Sequence, residues 1–236
     1  MPPNTIPGDF GPQFLAWLKQ ATEDGWRRWR TQTLEDFERS GVGGCSWQRD
    51  THWTGGLSDG ELADVEGRFG VRFPADHRLF LQTLHATTPL QSCAFFAGDK
   101  LQAAERPGFY HWQRDEAAIR FASEAVVSGL VFDVEHNALW PGSWGPRPAS
   151  EAERSARVAE LVEAAPRLLP ITGHRHVLAD GPTIVLSVHQ SDIIVYGRDL
   201  RAYLLNELHG LLGIDAEVSW TDADTREIPF WGELIG

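Results

Sequence analysis

The chain has no apolar run approaching the roughly 20 residues needed to cross a bilayer, so a helical membrane protein is not expected. Its first residues carry no basic residue followed by an apolar stretch, so no signal peptide is expected either. Cysteine is scarce, with only Cys45 and Cys93 among 236 residues. Two thiols do not make a disulfide framework, and a reducing cytoplasm is the expected setting. Cys93 lies in an apolar run and reads as a small buried residue, with Cys45 the more exposed of the two. Net positive charge is missing as well. At −12 the chain is not expected to bind nucleic acid through a general phosphate-neutralising surface.

What is present is a globular composition, 42% hydrophobic, long enough to bury a substantial core. Acid concentrates toward the end: Asp215, Glu217, Asp222, Asp224, Glu227 and Glu233 stand against Arg226. Such charge keeps a protein soluble, and it also steers a basic partner by long-range attraction. Ten tryptophans are many, and several sit in glycine-rich surroundings: Trp47 and Trp53, then Trp140 and Trp144. Most are expected to pack, because tryptophan combines a large apolar area with one polar handle.

The first 40 residues read as two short helices. Phe14, Leu15, Trp17 and Leu18 face the first; Trp26, Trp29, Leu34 and Phe37 face the second. A glycine-rich stretch pinned by its tryptophans follows, so residues 1–56 are expected to pack as an extension on a body spanning 57–236. Ser58 and Glu61 form a capping box ahead of Leu62, Val65 and Phe69, and Gly70 ends that helix. Pro74 starts another through Leu79, Phe80, Thr83 and Leu84. Gln91–Gly98 and Gly129–Glu135 read as strands, with a short helix capped by Asp115 between them. Ser150 and Glu153 form a second capping box. Leu168–Ile171, Val177–Leu178, Thr183–Val188 and Ile193–Tyr196 are strand candidates, and Asp199 opens a helix through Leu200, Tyr203, Leu204 and Leu208. Ala216–Trp220 and Ile228–Trp231 suit strands or an extended tail. The class expected is α+β, a mixed, mostly antiparallel sheet with helices packed on it.

Chemistry-bearing residues gather late in the chain. His174 and His176, with Asp180 or Asp192, offer nitrogen and oxygen ligands of the kind zinc takes, but the spacing matches no closed zinc pattern. Ser187, His189 and Asp192 resemble a hydrolase set, yet LSVHQ lacks the glycines that expose a nucleophilic serine. Neither a Walker nor a dinucleotide glycine pattern occurs. No catalytic, metal or cofactor site is therefore expected.

The segment Leu57–Leu84, with Glu61, Leu62, Glu66, Phe69, Gly70, Phe73, Pro74 and Leu79, resembles the opening helices of the SUKH superfamily. This group includes yeast cell-wall-synthesis regulators and bacterial toxin-immunity proteins. Downstream, GLVFDVEHNALWPGSWGPRP, LLPITGHRHV and SVHQSDIIVYGRDL are similar to one bacterial branch of the same group. The resemblance covers roughly Leu57 to His209. It implies an α+β protein-binding module without catalysis: an immunity protein for a toxin, or a scaffold or regulator binding cellular partners. Asp133, Trp140, Trp144, Arg147, His174, Arg175, His189 and Asp192 are the expected partner-binding or polar-network residues. Arg147 and Arg175 have planar forks suited to carboxylates or backbone carbonyls, with Asp133 or Asp192 as partners.

Overall fold

A computed structural model of the chain describes residues 5–180, 183–216 and 228–235. Helices α1 (Pro12–Arg28) and α2 (Leu34–Ser40) lead into strands β1 (Gly44–Ser46) and β2 (His52–Trp53), then α3 (Asp59–Phe69) and α4 (Ala75–Thr83). Strands β3 (Thr87–Thr88), β4 (Gln91–Ala97) and β5 (Lys100–Arg106) precede the long α5 (Glu116–His136) and α6 (Glu151–Ala164). Strands β6 (Leu168–Thr172), β7 (Arg175–Leu178), β8 (Val185–His189) and β9 (Asp192–Gly197) follow, then α7 (Leu200–Glu207) and α8 (His209–Leu212). The class is α+β: eight helices and three antiparallel sheets among the described residues, ordered β1-β4-β5, β2-β3 and β6-β7-β8-β9. No helix among them is long and apolar enough to cross a membrane.

Local chemistry fixes several boundaries. Both capping boxes form: Ser58 accepts from the Glu61 N–H and Ser150 from the Glu153 N–H, while each glutamate reaches back to its cap. Gly70 closes α3 in the left-handed conformation at φ 60°.

The four-stranded meander is covered on both faces, which explains why β6 is buried at every residue. Leu169, Ile171, Val177 and Val185 join one core with Leu200, Tyr203 and Leu204 of α7 and with the N-terminal half. Leu168, Leu178, Leu186, Val188 and Val195 join a second core with α5, α6, Trp144 and the 228–235 segment. Pro170 is tolerated because β6 is an edge strand with a register shift at that point. In the first core, Trp26, Trp47, Trp53, Phe80 and Phe109 form a chain of rings 5.0–6.2 Å apart.

Several expectations are corrected. Gly129–Glu135 is helix, not strand: it lies within α5, whose buried Ile119, Ala122, Val126, Leu130, Asp133 and Val134 recur at helical spacing. Packing of that stripe against α6 and the sheet overrides the short β-branched alternation. The helix above Asp115 is accordingly 21 residues long. Trp26 belongs to α1, not to a second helix, and Trp29 already lies past its end. Ile228–Trp231 is a turn entering a 3-10 segment, and all of Ala216–Trp220 beyond Ala216 lies outside the described residues. The cysteines are not free thiols: Cys45 and Cys93 sit directly opposite across β1 and β4, Cα atoms 4.1 Å apart, and form a disulfide. Their separation of 48 residues hid a pairing that only strand register reveals.

Candidate functional site

The register of β7 on β8 sets Arg175 opposite Ser187, and the guanidinium Nη1 donates to the Ser187 hydroxyl at 2.7 Å. The same guanidinium stacks over Tyr196, its carbon 3.8 Å from the ring centroid. Helix α7 completes the cluster. Asp199 caps it by accepting from the Ala202 N–H at 2.7 Å, which places Tyr203 and Glu207, four residues apart, on one face. A Cβ on Gly197 would lie 2.5 Å from the Tyr203 Cβ, so only glycine lets α7 settle this closely on β9.

The Tyr203 hydroxyl is buried without a hydrogen-bond partner among the described residues, and so are Arg175 Nε and Glu207 Oε2, which face each other as an ion pair at 3.7 Å. Burial pushes the Glu207 carboxyl above its ordinary range, opposed by Arg175 and Arg106. Tyr110 donates its hydroxyl to the Gly173 carbonyl at 3.2 Å on the neighbouring turn. All three tyrosines of the chain thus belong to this region of the molecule. Ser187 is buried and held by Arg175, and no side-chain hydrogen bond among the described residues links it to His189 or His189 to Asp192, which meet only as backbone partners across the β8–β9 turn. A triad is not assembled.

On the other face of the sheet, Asp133 of α5 accepts from the Ser191 N–H at 2.7 Å and from Asn137 Nδ2 at 2.6 Å. Burial would raise this carboxyl, but the hydrogen bonds from Ser191 and Asn137 outweigh it and hold it below its ordinary range. Gly129, one turn earlier, lets the Gln190 backbone approach: a Cβ there would sit 3.0 Å from Gln190 Cα. The β8–β9 turn is therefore locked onto α5, with His189 and Asp192 exposed at its ends. Beside it runs an open stripe of α5 carrying Phe121, 73% exposed, and Phe132, which stacks on His136 at 4.3 Å.

Arg147 donates to the Val134 carbonyl, fastening the loop after α5 to its end. Within that loop, Trp140 Nε1 donates to the Gly145 carbonyl at 2.8 Å, and Trp144 is buried between Trp140 and Phe230. The expected pairing of these arginines with aspartates is not found. Arg147 takes a carbonyl, Arg175 takes Ser187, Tyr196 and the flank of Glu207, and Asp192 faces solvent.

His174 and His176 do not act together: His174 lies exposed in the turn before β7, 6.1 Å from the His189 ring, whereas His176 is buried. No three His, Cys, Asp or Glu side chains converge to hold a metal ion among the described residues. Sequence reasoning missed Glu207, Tyr203 and Tyr110. The helix start at Asp199 and the four-residue spacing could have paired the first two, but Tyr110 arrives from 63 residues away.

The fold and these clusters define an α+β protein with a two-sided antiparallel meander and a rigid turn beside an exposed aromatic helix face. Comparison with known protein families, curated proteins and solved structures finds no match for this chain.

Proposed function

We propose that this chain is a SUKH-type protein-binding module that acts without catalysis, as an immunity protein that neutralises a basic bacterial toxin by occupying its surface. The observation that carries this reading is the exposed phenylalanine stripe of α5 beside the immobilised His189–Asp192 turn. Exposed aromatics on rigid elements are the usual anchors of protein interfaces, and rigidity reduces the entropy lost on docking. The other motif residues support it differently. Arg147, Asp133, Trp140 and Trp144 make internal contacts that shape the loops. A net charge of −12 suits a basic partner through faster, salt-sensitive association.

The reading places the protein in the cytoplasm, where thiols are kept reduced, so it requires the fold to stand without the Cys45–Cys93 link. Co-expression with the toxin encoded beside it is expected to restore growth of cells that the toxin alone arrests. Absence of both rescue and a complex would remove the immunity role. Binding to a housekeeping protein instead would move the module to the scaffold class.

A further inference from the structure

Strand β5 is an outer strand of the three-stranded sheet, whose order is β1-β4-β5. It follows β4 through a two-residue turn, Gly98 and Asp99, with Ala97 facing Lys100. In a two-residue hairpin that closing pair is hydrogen-bonded, and bonded pairs then alternate along the ladder. Lys100, Gln102, Ala104 and Arg106 therefore turn their backbone groups toward β4, opposite Ala97, Phe95, Cys93 and Gln91. Leu101, Ala103 and Glu105 turn theirs outward, and no strand or loop backbone among the described residues takes them up. An unpaired edge of this kind is a template for another strand.

Beside this edge lies a hollow of about 470 Å³, walled by Leu34 and Phe37 of α2 on one side and by Ala103 and Glu105 on the other. Ala103 and Glu105 share a face of the sheet, two residues apart. Gly44, Ala94 and Ala103 form one cross-strand row, and a Cβ on Gly44 would lie 3.7 Å from the Phe37 ring, so α2 packs over that same face. Leu34 stays 41% exposed above the hollow. Glu105 is exposed and makes no ion pair among the described residues. A second copy of the chain does not suit the edge. Two β5 strands paired about Ala103 would set Lys100 against Arg106, and paired about Gln102 would set Asp99 against Glu105. Like charges directly opposite destabilise a strand pair. A net charge of −12 on each copy adds to the repulsion.

We propose that β5 is a docking edge for an extended segment of another protein, which adds a fourth strand to this sheet. Its apolar side chain fills the Leu34–Phe37 hollow, and a basic side chain two residues away meets Glu105. Main-chain bonds to Leu101, Ala103 and Glu105 supply affinity, and the two side-chain positions supply specificity. The surface is built from α2 and β5, neither of which the toxin-binding reading uses, so the two stand or fall separately.

The test is selection of a displayed library of short random peptides on the full chain, followed by titration of the recovered peptides against its backbone amide resonances. Recovered peptides are expected to carry an apolar and a basic residue two positions apart and to shift Leu101, Ala103 and Glu105 saturably. Ala103→Pro removes an outward N–H that β4 does not use, so the hairpin keeps its ladder while the edge loses a donor. It should weaken binding by about tenfold or more, whereas Ala103→Val, which keeps that N–H, should bind as wild type does. Near-ultraviolet circular dichroism reports that each variant is folded. N-methylation of alternate peptide amides tests the same bonds with the protein unaltered, and only one of the two alternations should abolish binding. Recovery of no peptide, shifts confined to α5, or indifference to both N-methylation patterns would overturn the docking edge. So would unchanged affinity in a folded Ala103→Pro protein. A concentration-dependent dimer of the wild type that Ala103→Pro abolishes would overturn the foreign partner in favour of a second copy.

Discussion

Without the Asp133 carboxylate, the part-buried Ser191 N–H would lose its acceptor in the sheet–helix seam, whereas the amide of the exposed Asn137 can turn to water. Asp133→Ala should therefore lower stability by about 2 kcal/mol, the cost of stranding a buried donor, and Asp133→Asn by less, since its amide oxygen still accepts. Urea unfolding measures both; equal stability of wild type and Asp133→Ala would show that the turn is not held this way. Buried histidines give the molecule an acid weakness. Burial lowers His77 and His85 to about 3 and His176 to about 4, with neighbouring charge adding to the effect at His85. Each ring stays neutral when folded but takes a proton near pH 6.5 when unfolded, so the unfolded state binds more protons as pH falls below that value. Stability should drop between pH 6.5 and 4, by about 1.4 kcal/mol per pH unit for each such histidine. His77→Leu, at a site enclosed by Phe73, Phe80 and Trp112, should flatten that slope by one proton's worth; an unchanged slope would contradict the assignment. Among single residues, Asp133, Arg147 and Trp144 stood out in the sequence because polar or aromatic residues punctuated apolar or proline-rich stretches. Glu207 did not, because an acid in the last turn of a helix looks ordinary until Arg175 is seen against it.

Elements were legible where a local rule decided them. Two capping boxes, the Gly70 stop and the Asp199 cap each depend on neighbours within four residues, and each helix starts or ends there. The strands β6 to β9 were legible as apolar runs with turn residues between them. Helix α5 was not, since a valine-rich segment around a glycine suits either state and only its packing against α6 and the sheet settles the matter. The disulfide was illegible for a related reason: it depends on the register of β1 against β4, and a sequence separation of 48 says nothing of that. Neither cysteine belongs to the two apolar clusters that hold the fold. A Cys45→Ser, Cys93→Ser protein should consequently stay folded, with stability lower by up to about 4 kcal/mol from the released loop entropy. Thermal unfolding and near-ultraviolet circular dichroism report this. Loss of the tertiary signal at room temperature would mean that the fold needs the link, and a cytoplasmic role would go with it.

At the scale of the whole molecule, the N-terminal residues Phe14, Trp26, Trp47 and Trp53 share one core with Leu62, Phe80 and Leu204, so the first 56 residues and the body bury their apolar faces together. The meander then separates that core from a second one, and its β8–β9 turn is gripped by α5. Large apolar side chains left exposed among the described residues include Phe121 and Phe132 on α5 and Phe95 and Phe96 on β4, in a chain of net charge −12. The most direct test of the proposed binding role is the affinity of the purified protein for the basic toxin that the proposal expects to be encoded beside it, measured by titration calorimetry at low and high ionic strength, for wild type and Phe132→Asp. A one-to-one complex is expected that weakens as salt rises and loses about tenfold or more in affinity when the exposed anchor is replaced by a charge. No heat of binding at low salt, or a folded Phe132→Asp protein that binds as tightly as wild type, would contradict it.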